Sequence, residues 1–199
     1  MRIFFLQKKI MKFVYKILLL ISIIFIPQVM AIQSKHGMDG FVHGKIDPIK
    51  NARLHSNMGN IYFDEKKYIS ALKEYEIAFN LAHKTQAAGA YLYNIARCYI
   101  AIGNYNLAIN ALDGAIKKDC INMTYYETLV DCYIELGIQD KKLAKHIEDV
   151  SNPYNRVIAG LIYLKTGRKM QARATFDDFV IQNPDMIISD DIRVILRDL

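Results

Sequence analysis

Apolar and polar positions follow three different rhythms along this chain. From Ile17 to Ile26 the residues are almost continuously apolar, and Pro27 ends the run. From Ile32 to Lys50 no apolar period of 2 or 3.6 residues is present, and Gly37, Gly40, Gly44 and Pro48 punctuate a segment that reads as a flexible linker. Beyond Lys50 one motif recurs. Met58-Gly59, Ile95-Ala96, Leu129-Val130 and Ala159-Gly160 each stand two residues short of a tyrosine, and the four tyrosines, Tyr62, Tyr99, Tyr133 and Tyr163, are spaced by 37, 34 and 30 residues. Ala71, Ala108 and Ala172 follow at a fixed distance in three of the four units, and Lys142 takes that place in the third.

A period close to 34 residues, carried by a small residue, a tyrosine and a later alanine, resembles the tetratricopeptide-repeat family from about Ala52 to Pro184. The resemblance implies an all-α fold, a right-handed superhelical stack of about four helix-turn-helix units. The units are expected near 52–85, 89–122, 123–152 and 153–186, within a repeat domain spanning 51–199. Each unit pairs two antiparallel helices. A small residue on the first (Gly59, Ala96, Gly160) is expected to face a small residue on the second (Ala71, Ala108, Ala172), so that the backbones approach to the lower end of the usual interaxial range of about 8–10 Å. The four tyrosines are expected to fill the wedge to the next unit. Gly103, Gly137 and Gly167 suit the left-handed turn between paired helices, and Lys66 holds that position in the first unit. The short spacing before Tyr163 predicts a shortened second helix in unit three, about 139–150. Ser189 or Asp190 is expected to cap a last helix, about 189–198, with Ile192, Ile195, Leu196 and Leu199 on one face, closing the end of the stack.

The N-terminal pattern changes how the charge is read. Arg2, Lys8, Lys9, Lys12 and Lys16 precede the apolar run without an acidic residue among them, and Val29-Met30-Ala31 offers a cleavage site, so residues 1–31 read as a secretory signal peptide. The stretch from Ile17 to Ala31 is 15 residues, short of the roughly 20 a spanning helix needs. The alternative is an uncleaved N-terminal anchor, lengthened by Phe13, Val14 and Tyr15. Met11 opens a second, tidier signal and is an alternative start. The whole chain carries 26 basic and 20 acidic residues, and without the five in the signal the balance is 21 against 20. A nucleic-acid partner loses its electrostatic support. A membrane enters only through an uncleaved signal, and the expected location is periplasmic or secreted.

No H-E-x-x-H, G-x-x-x-x-G-K-[ST], G-x-S-x-G or C-x-x-C pattern is present, so no catalytic residue, cofactor or metal site is expected. His36 and His43 lie in the linker, away from any completing ligand set. Cys98 and Cys132 fall at equivalent positions one unit apart, too far for a disulfide if their helices pack normally, and are expected as small core residues. Cys120, in a loop, is expected to be the reactive thiol.

What the resemblance implies about function is a protein or peptide partner, bound along a concave groove lined by the first helix of each unit. Carried over by position, the groove residues are Arg53, Asn60 and Asp64 from unit one, Tyr93, Asn94 and Arg97 from unit two, and Glu127 and Asp131 from unit three, followed by the apolar Val157, Ile158 and Leu161. Asn60 and Asn94 match two asparagines with which chaperone-binding members hold a peptide carboxylate. The basic residues of that clamp are replaced by Ser56, Thr124 and Thr128, so charge-assisted capture of a carboxylate is not implied. The alternative function is a structural subunit of an envelope or secretion assembly.

Overall fold

The computed structural model describes Asp47–Leu199; the expected signal, 1–31, and residues 32–46 of the expected linker lie outside the described residues. The described residues form nine helices and no strand: α1 (Pro48–Asp64), α2 (Tyr68–Ala82), α3 (Ala88–Ala101), α4 (Tyr105–Lys118), α5 (Met123–Glu135), α6 (Gln139–Glu148), α7 (Tyr154–Lys165), α8 (Lys169–Gln182) and α9 (Ile187–Asp198). They make an all-α superhelical stack of paired helices. Pro48–Lys50, assigned to the linker by their composition, are instead the first turn of α1. The Asp47 carboxylate accepts from the Ile49 and Lys50 amides at 2.9 and 3.3 Å, and Pro48 sits where a missing N–H costs nothing.

Three of the four hairpin turns use glycine with positive φ: 77° at Gly103, 66° at Gly137 and 78° at Gly167. Lys66 adopts φ 61° at the same place in the first pair. It keeps the same hydrogen bonds: the Lys66 and Lys67 amides donate to Phe63 O and Tyr62 O at 2.9 and 2.8 Å, as those of Gly103 and Asn104 donate to Ile100 O and Tyr99 O at 2.9 and 2.8 Å.

The close approach within a pair differs from the expected one. Gly59 faces the Tyr75 ring and Gly160 the Phe176 ring; a β-carbon at those glycines would lie 2.6 and 2.3 Å from the nearest ring carbon. The small residue therefore receives an aromatic ring from the second helix, while Ala71, Ala108 and Ala172 are buried one turn earlier. At the register of Tyr75 and Phe176 the second pair carries Leu112, opposite the bulkier Ala96 position. Among the tyrosines of the period, Tyr133 is buried, whereas Tyr62, Tyr99 and Tyr163 are half-buried against the core.

The third pair breaks the pattern. At the equivalent ring position it has His146, and Lys142 replaces the buried alanine, its ammonium 4.9 Å from the Tyr133 ring centroid. Neither side chain can be buried as Phe176 and Ala172 are without stranding a polar or charged group. Helix α6, only 10 residues long, meets α5 through Lys142 and His146 on the Tyr133 ring and packs its backbone more closely on α7, which α5 also meets directly. Covered by α5, α6 and α8, α7 is the most enclosed helix, with Val157–Ile162 buried without interruption.

Helix α9 begins at Ile187, two residues before the expected cap. Ser189 is fully buried inside its first turn, and its hydroxyl donates to Asn183 O at 2.6 Å instead of capping the helix. Ile188 and Ile192 are buried, while Ile195, Leu196 and Leu199 pack against the core as their spacing predicts.

Candidate functional site

The first helices α1, α3 and α5 carry the eight positions implied for a groove, and the structure assigns them unequal work. Arg53 and Asp64 are exposed on α1, and Glu127 is half-buried on α5. Asn60 accepts at its Oδ1 from the Tyr75 hydroxyl at 2.7 Å, a bond that satisfies a ring otherwise fully enclosed. Burial pushes the Tyr75 phenol up to about 12, so this donor stays protonated.

The remaining positions stitch successive pairs together. The Arg97 guanidinium lies 4.2 Å from the Phe63 ring centroid and donates to Asn94 Oδ1 at 3.3 Å, tying α3 to α1. Tyr93 and Tyr125 pack at 5.1 Å between centroids across α3 and α5. The Lys165 ammonium reaches Asp131 at 2.5 Å, joining α7 to α5. Beside it Tyr126 stacks on Tyr154 at 5.9 Å, and the Cys120 thiol donates to the Tyr154 hydroxyl at 3.1 Å. The partners Phe63, Tyr125 and Lys165 were not among the positions singled out by sequence. The period itself was the available signal: Cys120–Tyr154 and Asp131–Lys165 are each 34 residues apart. In the fourth unit the expected apolar groove positions Val157, Ile158 and Leu161 are buried and present no open surface.

A cleft that the sequence did not announce lies where α6 meets α7 and α8. It has a volume of about 430 Å³, lined among others by His146, Arg156, Tyr163, Thr175 and Asp178, with Arg156 and Asp178 forming an ion pair. His146 bonds through Nδ1 to Asn155 Oδ1 at 2.8 Å, and Asn155 Nδ2 donates to Asp149 O at 2.8 Å. The nitrogen must be the donor in the first bond, so the ring carries its proton on Nδ1, and the buried Nε2 has no partner among the described residues. Burial pushes the imidazole below its ordinary value; the Asn155 bond works in the opposite direction, and Lys142 and Lys145 add to the depression.

Cys98 and Cys132 are buried free thiols, both pushed up to about 11 by burial, and Cys120 is half-buried. Among the described residues no three His, Cys, Asp or Glu side chains are placed to hold a metal ion, and no helix is long and apolar enough to cross a membrane.

Comparison with known proteins agrees with the repeat architecture. Tetratricopeptide-repeat family models match residues 51–117 and 155–185. Similar solved structures include a tetratricopeptide repeat protein from Parabacteroides merdae, 20% identical, covering 74% of this chain and 59% of its own, with a TM-score of 0.48. YrrB, described as having an unusual peptide-binding site, is 18% identical, covering 71% of this chain and 74% of its own, with a TM-score of 0.42. The Yersinia enterocolitica secretion chaperone SycD, solved with a peptide of the translocator YopD, is 12% identical, covering 66% of this chain and 93% of its own, with a TM-score of 0.44. The chain spans 59% of the length of the Parabacteroides protein. No curated protein matches the sequence. The tyrosine period, the glycine-turned helix pairs and the two family matches together place the chain in the tetratricopeptide-repeat family.

Proposed function

We propose that this protein is an exported interaction module that takes an extended peptide or a partner helix along the face presented by α1, α3 and α5. The observation that carries the proposal is the makeup of that face. It runs from Arg53 through Asp64 to Glu127, charged side chains left in solvent or half-buried on a row of helices whose aromatic and Arg97 side chains fix the spacing between them. A rigid row of spaced polar groups is suited to reading a peptide at low ordering cost. Export is part of the same proposal and rests on the basic residues and apolar run ahead of Ala31.

The test is crosslinking in the native cell followed by mass spectrometry, comparing the wild type with Asp64→Lys/Glu127→Lys. Both residues lie outside the core, so the melting temperature should hold while partner recovery falls. Unchanged recovery would exclude this face and favour an assembly subunit that docks elsewhere. Sequencing the mature N-terminus tests export: Ile32 is expected, and an intact N-terminus would replace the cleaved signal with an anchor.

A further inference from the structure

The two ends of the stack are finished differently. At the C-terminal end α9 buries Ile188 and Ile192 and turns Asp190, Asp191, Arg197 and Asp198 outward, the polar-backed cap a repeat array needs. At the other end α1 has no such cover among the described residues. Its Leu54, Met58 and Ile61 are 55%, 42% and 57% exposed. One unit on, the same register positions are Tyr91, Ile95 and Cys98, and one unit further Tyr125, Leu129 and Cys132; all six are at most 6% exposed. There they belong to the surface by which each first helix packs on the second helix of the unit before it, as Tyr91 closes on Ala78 and Ala82 of α2. Thus α1 carries, exposed, the apolar stripe that the next two units bury.

We propose that this stripe is a homodimer interface, covered by α1 of a second copy running antiparallel across a two-fold axis. Three features favour that occupant. Leu54 and Ile61 are equidistant from the point between Asn57 and Met58, so an antiparallel copy sets each against the other and Met58 near the axis, the self-complementarity an isologous contact requires. The same pairing brings Lys50 opposite Glu65 of the second copy. The matched charges stand at the two ends of the stripe, Lys50 at its start and Glu65 at its end, so antiparallel packing sets unlike charges together and parallel packing opposes like ones. Glu65 has one neighbour of its own, Lys67 at 2.7 Å, an exposed pair that leaves the carboxylate available to a second cation. Finally, the sequence of residues 32–46 carries Gly37, Gly40 and Gly44 and no helical apolar period to match the stripe. The stripe lies one helical face away from Arg53, Asn60 and Asp64, and the inference does not depend on what the groove binds.

Sedimentation equilibrium of the purified protein at micromolar concentration tests it. The wild type is expected as two chains and Met58→Glu, which sets two carboxylates near the axis, as one; Leu54→Lys is the second variant should the first fold poorly. Circular dichroism should show unchanged helix content, since both residues are exposed. Lys50→Glu should weaken association roughly tenfold, two surface pairs being exchanged for two repulsions, and Lys50→Glu/Glu65→Lys should restore it to within a few-fold. A monomeric wild type, a dimer indifferent to Met58→Glu, a charge swap that fails to rescue, or a one-to-one complex with a different protein at this stripe overturns the proposal.

Discussion

Gly160→Ala adds one methyl group and should cost this fold several degrees of melting temperature. The added β-carbon would lie 2.3, 2.6 and 2.8 Å from three carbons of the Phe176 ring, which is fully buried, so the ring must leave its place or α7 and α8 must separate. Overpacking of a core typically costs about 1–3 kcal/mol, and the depth of this overlap argues for the upper half of that range. Replacing glycine by alanine inside a helix returns about 1 kcal/mol through propensity. The net expectation is about 1–2 kcal/mol, or roughly 2–8 °C in a chain of this length. The second pair shows how the clash is relieved: there the first helix has Ala96 and the second has Leu112, both fully buried. Phe176→Leu alone should cost about 1 kcal/mol, as a shape change in a packed core. The double variant Gly160→Ala/Phe176→Leu, which installs the second pair's combination in the fourth, should be more stable than the sum of the singles by about 1–2 kcal/mol. Urea denaturation of the four proteins closes this cycle. An additive double variant, or a Gly160→Ala protein as stable as the wild type, would refute the ring-on-glycine account of how the paired helices approach.

Three further outcomes follow from individual residues. Lys66→Gly relieves a left-handed lysine at φ 61° and should stabilise the protein by about 0.5–1 kcal/mol, read as a higher urea midpoint; a lower midpoint would show that the lysine stem contributes more than its backbone strain costs. His146 has a folded pKa below its ordinary value, so the unfolded chain binds the proton more tightly. Stability is therefore complete above the unfolded value of about 6.5 and declines as pH falls from there toward the folded pKa. Thermal melts across that window should show a smaller decline for His146→Leu than for the wild type, and equal declines would remove His146 as the cause. Titration with a thiol-specific disulfide reagent near pH 8 should find one fast thiol, Cys120, because Cys98 and Cys132 are buried and pushed up to about 11; a second fast thiol would mean that α3 or α5 opens readily.

Periodicity made the pairs, their turns and the odd third unit legible in the sequence, because each depends on residues at fixed offsets: a glycine where φ must be positive, a lysine where alanine recurs. Which side chains meet was less legible. Pairing Gly59 with Ala71 follows from wanting two small residues in contact, whereas the helices cross so that the ring one turn further on lies over the glycine. The Ser189 cap failed for a related reason: its hydroxyl is drawn to Asn183 O, a carbonyl whose position exists only once α8 has ended. The His146–Asn155–Asp149 chain joins α6 to α7 because α6 packs more closely on α7 than on α5, an arrangement that no local pattern encodes.

The eight positions expected to line a groove fall on α1, α3 and α5, and their chemistry was only half readable. Residue type suggests a ligand-facing role for Tyr93, Asn94, Arg97 and Asp131, and each is already engaged within the stack: Tyr93 with Tyr125, Asn94 with Arg97, Arg97 with Phe63, Asp131 with Lys165. A ligand that recruited Arg97 or Asp131 outright would have to break a contact holding one unit to the next. An exposed ion pair such as Asp131–Lys165 contributes about 0–1 kcal/mol, so exchanging it is cheap, while lifting a guanidinium off a ring costs about as much again. Under the proposed function, binding through α3 and α5 would therefore be coupled to the spacing between units. The two are uncoupled at Arg53 and Asp64, which are exposed and form no ion pair with α3 among the described residues. A partner held chiefly through Arg53 and Asp64 leaves the stack as it is, and one held through Arg97 and Asp131 shifts α3 and α5 relative to α1 and α7. Hydrogen exchange in those helices, with and without partner, separates the two modes: protection confined to α1 marks the first, and altered exchange around Arg97 in α3 and Lys165 in α7 marks the second.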